Sequence, residues 1–386
     1  MSQGVFMSVR QEVSFWVLED FRNGKMSRRD AALKLGISQR SVSRKAKRLR
    51  ESGLKGLAHG NGKRPPKNRC SDELRQRVVE LLRDIYYDFN LTHAREKLIA
   101  EHGIQVSYGT LHTWARQAGV GRGKKKRRTS KARIHRERMA NEGLMLQMDG
   151  SHHRWNGADE WCLIAMIDDA TSDIPYAEFF PGETTLACMK VLRQVIEKKG
   201  IPDIIYTDEA GWAGGGKRTN FSQFHRACEE LGIRLITTRS PESKGRIERA
   251  WRTCQDRLVP EFRLNGIKKM LDANRYLQQV FLPSYWRQSL TVEPRSSTTR
   301  YRPVPAHVNL DNIFCLKYER QVASDNTVSY DNKRYRIVDC RFRSLRKKTV
   351  SILWHETGEV EVYYGHLKVK IELIEPVKRQ WTLRPA

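Results

Sequence analysis

The chain has 386 residues, of which 39% are hydrophobic, 30% charged and 9% aromatic. This length and composition exclude a short peptide scaffold and disorder throughout, and they leave room for about two to four folded domains. The formal net charge of +27 at pH 7 favours a polyanionic partner, with nucleic acid first and an anionic membrane surface second.

No apolar run in the sequence approaches the length of a membrane span, and the seven cysteines contain no CxxC pair. An odd number of unclustered cysteines fits reduced thiols better than a disulfide framework. These features predict a cytoplasmic or nucleoid-associated protein with no structural zinc and no membrane partner.

The positive charge is concentrated at the two ends of the chain. Residues 1–143 hold 33 Lys and Arg against 14 Asp and Glu, residues 144–266 hold 16 against 18, and residues 267–386 hold 22 against 12. Carboxylates gathered between two basic flanks favour cation-dependent chemistry on a bound polyanion. An ordinary globular core that happens to be near neutral is the alternative.

Caps and apolar periodicity in residues 1–62 predict a helix-turn-helix domain. Ser27, with Asp30 three residues later, is a capping-box-like helix start, and Gly36 is a natural stop before Ser38 opens the next helix. That second helix has one apolar face and a basic remainder, as in helices that contact DNA base edges. Its predicted DNA contacts are Gln39, Arg40, Ser43, Arg44 and Lys47. An amphipathic helix with a solvated charged face is the alternative.

Residues 63–120 predict a second, less basic helix-turn-helix-like domain. Ser71, Thr92 and Ser107 each open a predicted helix there. Residues 121–143 are then too charged to pack, so they predict a basic linker that lies along phosphates. The linker residues predicted to contact DNA are Lys124, Lys125, Lys126, Arg127 and Arg128.

The near-neutral centre, residues 144–265, predicts a mixed α/β domain. Three apolar runs predict three successive antiparallel strands, at 144–148, 161–167 and 174–180. The chain then alternates between predicted helices and strands: helix 184–199, strand 203–207, helix 220–231, strand 233–237 and a long helix from Ser243. This element order is that of a ribonuclease-H-like fold with a mixed sheet.

A motif in the last helix carries a family resemblance. The segment PESKGRIERAWRT at residues 241–253 resembles the P-x-S-x-G-x-x-E-R-x-x-x-T motif of DDE transposases and retroviral-type integrases. Asp149 and Asp208 stand where this family has its first and second catalytic Asp, and IDDATS at residues 167–172 is similar to its second-strand signature. The resemblance covers about residues 144–260, and insertion-sequence members of the family carry two helix-turn-helix units before this core.

Two features near Asp208 depart from the family pattern. Residues 209–211 (EAG) replace the usual Asn-Gly, and the spacing from Asp208 to Glu248 is longer than the common one. The extra length fits the glycine-rich stretch 211–218, which nearly matches the phosphate-binding pattern GxxxxGK[ST]. Arg218 replaces the hydroxyl that would hold magnesium there, so a mobile active-site loop is the simpler interpretation and we expect no ATP.

The resemblance implies that Asp149, Asp208 and Glu248 are the catalytic residues and hold two Mg²⁺ or Mn²⁺ ions. Two ions on hard carboxylate ligands stabilise charge on both the entering and the leaving oxygen of a phosphodiester. Asp149 would bridge the ions, and Asp208 and Glu248 would each complete one. Water would cut the first strand, and the liberated 3′-hydroxyl would then attack the target DNA.

Side chains near these three carboxylates have competing interpretations. Lys244 either reaches a substrate phosphate or pairs with Glu248, and Arg249 and Arg252 are further predicted DNA contacts. Asp168 and Asp169 fit a turn better than a metal site. The remaining apolar residues of the helix are predicted to serve only the core: Ile247, Trp251, Cys254 and Leu258.

The C-terminal flank is basic again. Residues 266–308 predict a helical and extended linker, in which Leu271, Leu277 and Phe281 suggest a helix that leaves the core. In residues 309–386 the apolar period changes to two, which predicts a basic small β-barrel. It resembles the SH3-like barrel of integrase relatives, and a solvated barrel without a DNA role is the alternative.

The expected architecture is therefore a multidomain α+β protein with helix-turn-helix domains, a ribonuclease-H-like catalytic core and an SH3-like barrel. The resemblance implies an insertion-sequence DNA transposase, a polynucleotidyl transferase that binds terminal inverted repeats, nicks the element ends and joins them to target DNA. Its partners would be double-stranded DNA and further copies of the chain, assembled on paired ends. A helix-turn-helix regulator with an inactive core and a structure-specific DNA nuclease are the alternatives.

Overall fold

The structure, a computed structural model, describes residues 9–57, 69–121, 137–208, 223–238 and 245–374. The chain divides into two compact units, Met1–Arg77 and Val78–Ala386. Within the described ranges, no helix is both long enough and apolar enough to cross a membrane.

The first unit contains three packed helices. They are α1 (Val9–Arg22), α2 (Arg28–Leu35) and α3 (Gln39–Ser52), and a 3₁₀ turn (Gly53–Leu57) follows them. The Ser27 hydroxyl accepts a hydrogen bond from Asp30 N (3.1 Å) at the start of α2, and Gly36 ends that helix with a left-handed φ of 61°. Ser38 caps α3 in the same way, so the predicted caps and turn are confirmed. The core of this bundle includes Leu18, Ala31, Val42 and Leu49.

Three more helices follow in the chain. They are α4 (Asp72–Asp84), which contains the boundary between the two units, α5 (Leu91–His102) and α6 (Tyr108–Ala118). Ser71 and Ser107 accept the capping hydrogen bonds of α4 and α6, as predicted. The cap of α5 is Asn90 rather than the predicted Thr92, because the Asn90 side-chain oxygen accepts a hydrogen bond from His93 N (2.9 Å).

The second unit is built around a five-stranded mixed sheet with the strand order β3-β2-β1-β4-β5. Its strands are β1 (Met145–His153), β2 (Trp161–Asp168), β3 (Tyr176–Phe180), β4 (Ile204–Asp208) and β5 (Arg234–Thr238). The first three strands pair antiparallel, whereas β4 pairs parallel with both β1 and β5. This is the predicted order of a ribonuclease-H-like core.

Helices cover both faces of this sheet. On one face, α7 (Thr185–Lys199) and α8 (Gln223–Glu230) pack against Leu146 and Met148 of β1. On the other face lies α9 (Gly245–Leu264), whose apolar side packs against alternate residues of β2. Because successive strand residues face opposite sides, Gln147, Asp149 and Ser151 of β1 all lie on the α9 face.

Strand β1 continues four residues past Asp149, beyond the apolar run 144–148 from which it was predicted. The extension, residues 150–153, pairs in register with residues 161–164 of β2. This pairing depends on a neighbouring strand, so the local apolar pattern of GSHH does not reveal it. Asp149 therefore lies inside a paired strand rather than at a free strand end.

The segment after α9 folds back onto the core. It consists of α10 (Met270–Tyr276), a π-helical segment (Leu277–Trp286) and α11 (Arg287–Ser289). Leu277 and Phe281 are buried in the same apolar core as α9, so the prediction of a helix leaving the core is wrong. Trp286 fixes the end of the segment by donating a hydrogen bond from Nε1 to Ser172 O (2.9 Å).

The C-terminal region begins at α12 (Leu310–Ile313) and forms two antiparallel sheets around one apolar core. The first has the order β11-β10-β9-β6 and the second β12-β8-β7. Their strands are β6 (Leu316–Gln321), β7 (Thr327–Tyr330), β8 (Lys333–Ile337), β9 (Thr349–Trp354), β10 (Val360–Tyr364), β11 (Leu367–Val369) and β12 (Ile371–Ile374). A closed SH3-like barrel is not confirmed, because the described strands form two separate sheets.

A polar interface holds α5 against the outer side of α9. Its contacts are Asn90 with Asp256, His93 and Lys97 with Glu261 (2.7 and 3.0 Å), Glu96 with Arg257 (2.6 and 2.9 Å) and Asp88 with Arg263 (2.7 Å). Glu261 is only 5% exposed. Its burial favours the neutral acid, but the hydrogen bonds and positive charge of His93 and Lys97 outweigh burial and lower its pKa to about 2.

We expect Glu261→Gln to lower the free energy of unfolding at pH 7 by about 3 kcal/mol, because lowering the pKa of the carboxyl from 4.5 to about 2 corresponds to a free energy of that order. The native contribution is complete above the ordinary Glu pKa of 4.5 and is lost as the pH falls toward 2. The variant should therefore lose less stability than the native chain between pH 4.5 and 2. Urea unfolding at several pH values measures both effects.

The exposed Glu319 provides the matched control, since Glu319→Gln removes a carboxylate without a buried partner. Equal stability changes in the two variants would contradict the assignment of the acid sensitivity to the α5–α9 interface.

Candidate active site

Two of the three predicted catalytic carboxylates lie side by side on neighbouring strands. The parallel pairing of β1 with β4 places Gln147 opposite Tyr206. This is the last residue pair between the two strands, and Asp149 and Asp208 each lie two residues further along their own strand. Both face the α9 side of the sheet, because the intervening residues of each strand face α7.

A row of three hydrogen bonds fastens α9 along β1. They join Ile247 N to Gln147 Oε1 (3.3 Å), Trp251 Nε1 to Asp149 Oδ2 (2.9 Å) and Gln255 Nε2 to Ser151 Oγ (3.1 Å). The helix residues recur every fourth position, about 6.0 Å along the axis, and the strand residues every second position, about 6.6 Å. The two spacings nearly match, so the helix lies along the strand in one register. We call these three bonds the α9–β1 ladder.

Glu248, the third predicted carboxylate, is in the first turn of α9 and is exposed. It follows Ile247 of the ladder directly and precedes Trp251 by three residues, so its backbone lies between two residues that bond to β1. Across the described ranges, no three Asp, Glu, His or Cys side chains form a group that could hold a metal ion. By strand register Asp149 and Asp208 are neighbours on the α9 side of the sheet, and the described side chains do not complete a three-residue metal group with Glu248.

A fourth carboxylate approaches the backbone next to Asp149. A Cβ atom at Gly150 would lie 2.8 Å from Cδ of Glu183 and 2.9 Å from Sγ of Cys162, so only glycine leaves room for this approach. Burial, with the nearby carboxylates of Glu183 and Asp149 adding to it, raises the pKa of Cys162 to about 12. The sequence interpretation missed Glu183, and the glycine directly after Asp149 is the signal that points to a close contact there.

The two acids at the end of β2 are structural. Asp168 accepts hydrogen bonds from the backbone N–H groups of Gly143, Ala170 and Thr171 (2.7 to 2.9 Å). Asp169 is fully buried, accepts from Gln147 Nε2 (2.9 Å) and Met139 N (2.9 Å), and pairs with Arg246 (3.2 Å). The predicted turn role is confirmed for Asp168, whereas the side chain of Asp169 joins β1 to α9 through Gln147 and Arg246.

The predicted core residues of α9 are buried, and one of them has a second role. Ile247, Trp251, Cys254 and Leu258 all lie in the core between α9 and the sheet. The sequence interpretation assigned Trp251 to the core alone, but its indole N–H donates to Asp149. Apolar residues at helical spacing predict that a tryptophan among them is buried. They do not predict which group its indole N–H will bond to.

The predicted DNA contacts are mostly exposed where the structure describes them. In α3, Gln39, Arg40, Arg44 and Lys47 are exposed, whereas Ser43 is half-buried and donates to Gln39 O (3.3 Å). In α9, Arg249 and Arg252 are exposed beside Glu248. Outside the described residues lie Lys124, Lys125, Lys126, Arg127, Arg128, Lys244 and the glycine-rich stretch 211–218.

Comparison with known proteins identifies the family. A winged helix-turn-helix family model matches residues 22–76. The chain is 34% identical to the putative transposase y4bF of Sinorhizobium fredii over 376 residues, which cover 94% of this chain and 80% of that protein. It is 29% identical to the transposase for insertion sequence IS1202 of Streptococcus pneumoniae, with 83% and 77% covered. The chain belongs to the insertion-sequence transposases.

The predicted function is thereby confirmed at the level of the family: the protein is an insertion-sequence DNA transposase, an enzyme that cleaves and transfers DNA, with an N-terminal helix-turn-helix. Solved structures similar to this transposase include the catalytic core domain of HTLV-2 integrase in complex with magnesium (18% identity, 35% of this chain and 82% of that chain, TM-score 0.29). Another is the simian T-cell lymphotropic virus intasome in complex with a B56 gamma subunit (16% identity, 75% and 97% covered, TM-score 0.35). The family assignment rests on the sequence relatives.

We expect Gln147→Met to lower the free energy of unfolding of the transposase by about 3 kcal/mol, because a buried N–H and a buried carboxylate would each lose a hydrogen bond at roughly 1 to 3 kcal/mol apiece. Gln147 has no exposed surface and bonds to both Ile247 N and Asp169. Urea unfolding of the purified chain measures the change.

The same substitution at Gln194 is the matched control. Gln194 lies on α7 and donates only to the solvent-accessible Glu197 (2.7 Å), so Gln194→Met should change stability by less than about 0.5 kcal/mol. A neutral Gln147→Met would show that the α9–β1 ladder contributes nothing to folding.

Proposed function

We propose that the transposase cuts and joins DNA at a site formed by Asp149, Asp208 and Glu248, which would hold two Mg²⁺ or Mn²⁺ ions. The observation that supports this most is the register of the parallel strands β1 and β4, in which Asp149 and Asp208 each lie two residues beyond the pair Gln147–Tyr206, on the α9 side of the sheet. Two such negative charges repel each other in the absence of a cation. Three carboxylates also form the hard oxygen donor set that these cations prefer over thiol or imidazole sites.

Bound ions would stabilise the charge that develops on the entering and leaving oxygens of the phosphodiester. The residues of the chain itself act by positioning the three carboxylates. Strands β1 and β4 would hold Asp149 and Asp208 on paired backbone, and the α9–β1 ladder would hold the first turn of α9, with Glu248, near them. The proposed sequence is hydrolysis at the element end, which liberates a 3′-hydroxyl, followed by attack of that hydroxyl on a target phosphodiester.

DNA would contact the chain on several basic surfaces. The exposed residues of α3 are placed to contact base edges at the terminal inverted repeats, as the second helix of a helix-turn-helix does. Arg249, Arg252 and Lys244 flank Glu248 in sequence and would bind phosphates close to the cut. We further propose that the C-terminal sheets are an open form of the small SH3-like barrel and add phosphate contacts through exposed cations such as Arg334 and Arg336.

The active form would be a homo-oligomer. One site must act at each of two element ends, and a charge of +27 per chain makes free subunits repel one another until DNA neutralises them. Assembly on paired ends satisfies both conditions.

We expect Asp149→Asn, Asp208→Asn and Glu248→Gln each to abolish nicking and joining while end binding stays nearly intact, because each change removes one ligand charge and leaves α3 untouched. The assay incubates labelled end DNA and a plasmid target with Mg²⁺ and scores nicked and joined products separately. A regulator would give neither product, and a structure-specific nuclease would give nicks alone.

Asp159→Asn serves as the matched control, since Asp159 is an exposed carboxylate in the turn before β2. It should nick and join at the native rate. Joining by the Asp208→Asn chain would exclude Asp208 from the site.

For end recognition, we expect Arg40→Ala or Arg44→Ala to reduce the preference for element ends over random DNA by about 1 to 3 kcal/mol, the usual value of a lost bidentate base contact. Neutralising Lys124, Lys125 and Lys126 should instead weaken binding to both DNAs equally and flatten the salt dependence, since phosphate contacts carry no sequence information. Competition binding at several salt concentrations separates the two effects. The assignment fails if the linker variant loses the preference while the α3 variants keep it.

A further inference from the structure

The indole N–H of Trp251, its only polar side-chain group, donates a hydrogen bond to a proposed catalytic carboxylate. Its side chain is 7% exposed and packs in the core between α9 and β2. The indole Nε1–H, which can only donate, points out of that core and donates to Asp149 Oδ2 at 2.9 Å.

Packing alone does not explain a tryptophan at this position. A buried indole N–H without an acceptor is destabilising, and a phenylalanine would fill an apolar site without that penalty. Tryptophan is therefore favoured at this position only if a hydrogen-bond acceptor lies next to its indole N–H. The acceptor present is the carboxylate that the proposed mechanism needs most.

The hydrogen bond restricts an otherwise soft torsion. The χ2 angle of an aspartate is broad and roughly two-fold, so the plane of a carboxylate is easily turned. The buried indole ring belongs to the apolar core between α9 and the sheet, and its N–H restricts the position of the Oδ2 atom of Asp149. The direction in which Asp149 presents its oxygens to a cation is then set before any cation arrives.

We propose that Trp251 is a positioning residue that orients Asp149 for divalent cation binding, and this inference rests on the proposed function of Asp149. Trp251 lies three residues after Glu248 on α9, so one helical turn both carries the third carboxylate and orients the first. Partners that orient a metal-binding carboxylate typically change metal affinity 10- to 100-fold when they are removed.

The chain offers a matched control in Trp286. This tryptophan is 3% exposed and lies in the same apolar core, and its Nε1–H also makes one hydrogen bond of 2.9 Å. Its acceptor is the backbone carbonyl of Ser172 rather than a carboxylate. Trp286→Phe therefore repeats the loss of ring volume and of one buried indole hydrogen bond without touching Asp149.

The experiment compares Trp251→Phe, Trp286→Phe and Asp149→Asn in the full-length chain. Mn²⁺ binding is measured directly by electron paramagnetic resonance titration, and the Mn²⁺ dependence of end nicking is measured in parallel. We expect Trp251→Phe to raise the Kd for Mn²⁺, and the concentration that half-saturates nicking, 10- to 100-fold. End binding should not change, and excess Mn²⁺ should restore most of the nicking rate. Trp286→Phe should keep the native Kd.

Replacing Trp251 with 3-benzothienylalanine, which puts sulfur in place of the indole N–H at nearly the same shape, keeps the test decisive if the phenylalanine variant does not fold. A native Kd in either folded Trp251 variant, or an equal shift in the Trp286 variant, overturns the positioning role. If Asp149→Asn binds Mn²⁺ and nicks as the native chain does, the proposed function itself fails. If Asp149→Asn loses both while Trp251→Phe is native, only the role of Trp251 fails.

Discussion

The α9–β1 ladder is the constraint on which the rest of the catalytic unit depends. Hydrogen bonds between a helix and the face of a sheet are directional, whereas apolar contacts allow a helix to slide by part of a turn. Because the ladder joins buried groups at three successive positions, a slip of α9 by one residue would leave several polar atoms unpaired at once. The register of α9, and with it the place of Glu248, follows from this requirement.

The other side of α9 carries a second polar interface, the one with α5. Arg257 and Glu261 are almost fully buried there, and each is paired with a group of opposite charge on α5. Buried ion pairs of this kind add little net stability, but removing one partner is costly, so they specify one arrangement. A single helix thus contacts the Asp149 face of the sheet on one side and α5 on the other.

Much of the local structure was predictable from the sequence, because caps and apolar periods are local signals. Ser27, Gly36, Ser38 and Ser107 mark helix ends where the structure has them. Tertiary features were not predictable in the same way. The extension of β1 past Asp149 depends on pairing with β2, and β6, with the polar sequence LKYERQ, has no apolar alternation to reveal it.

The candidate site shows the same difference between features that local sequence predicts and features that depend on folding. Sequence spacing and family resemblance suffice to nominate Asp149, Asp208 and Glu248, because those residues belong to a short motif or follow apolar runs. The contacts that hold them in place come from residues whose polar role appears only after folding. Gln147 looks like one polar residue in an apolar strand, and Glu183 lies in a turn more than thirty positions from the backbone it approaches.

The small mismatch between helix rise and strand rise limits how far the two can stay aligned. Each step of the ladder accumulates an offset of about 0.6 Å, so hydrogen bonds of normal length span only a few steps before their geometry fails. Beyond Gln255 the sheet-facing contacts of α9 are apolar, through Leu258 and Phe262, and these tolerate the growing offset. The first half of α9 is therefore held in one register with strand β1 by hydrogen bonds. The second half of α9 is not held in that register, so it can bind another part of the chain.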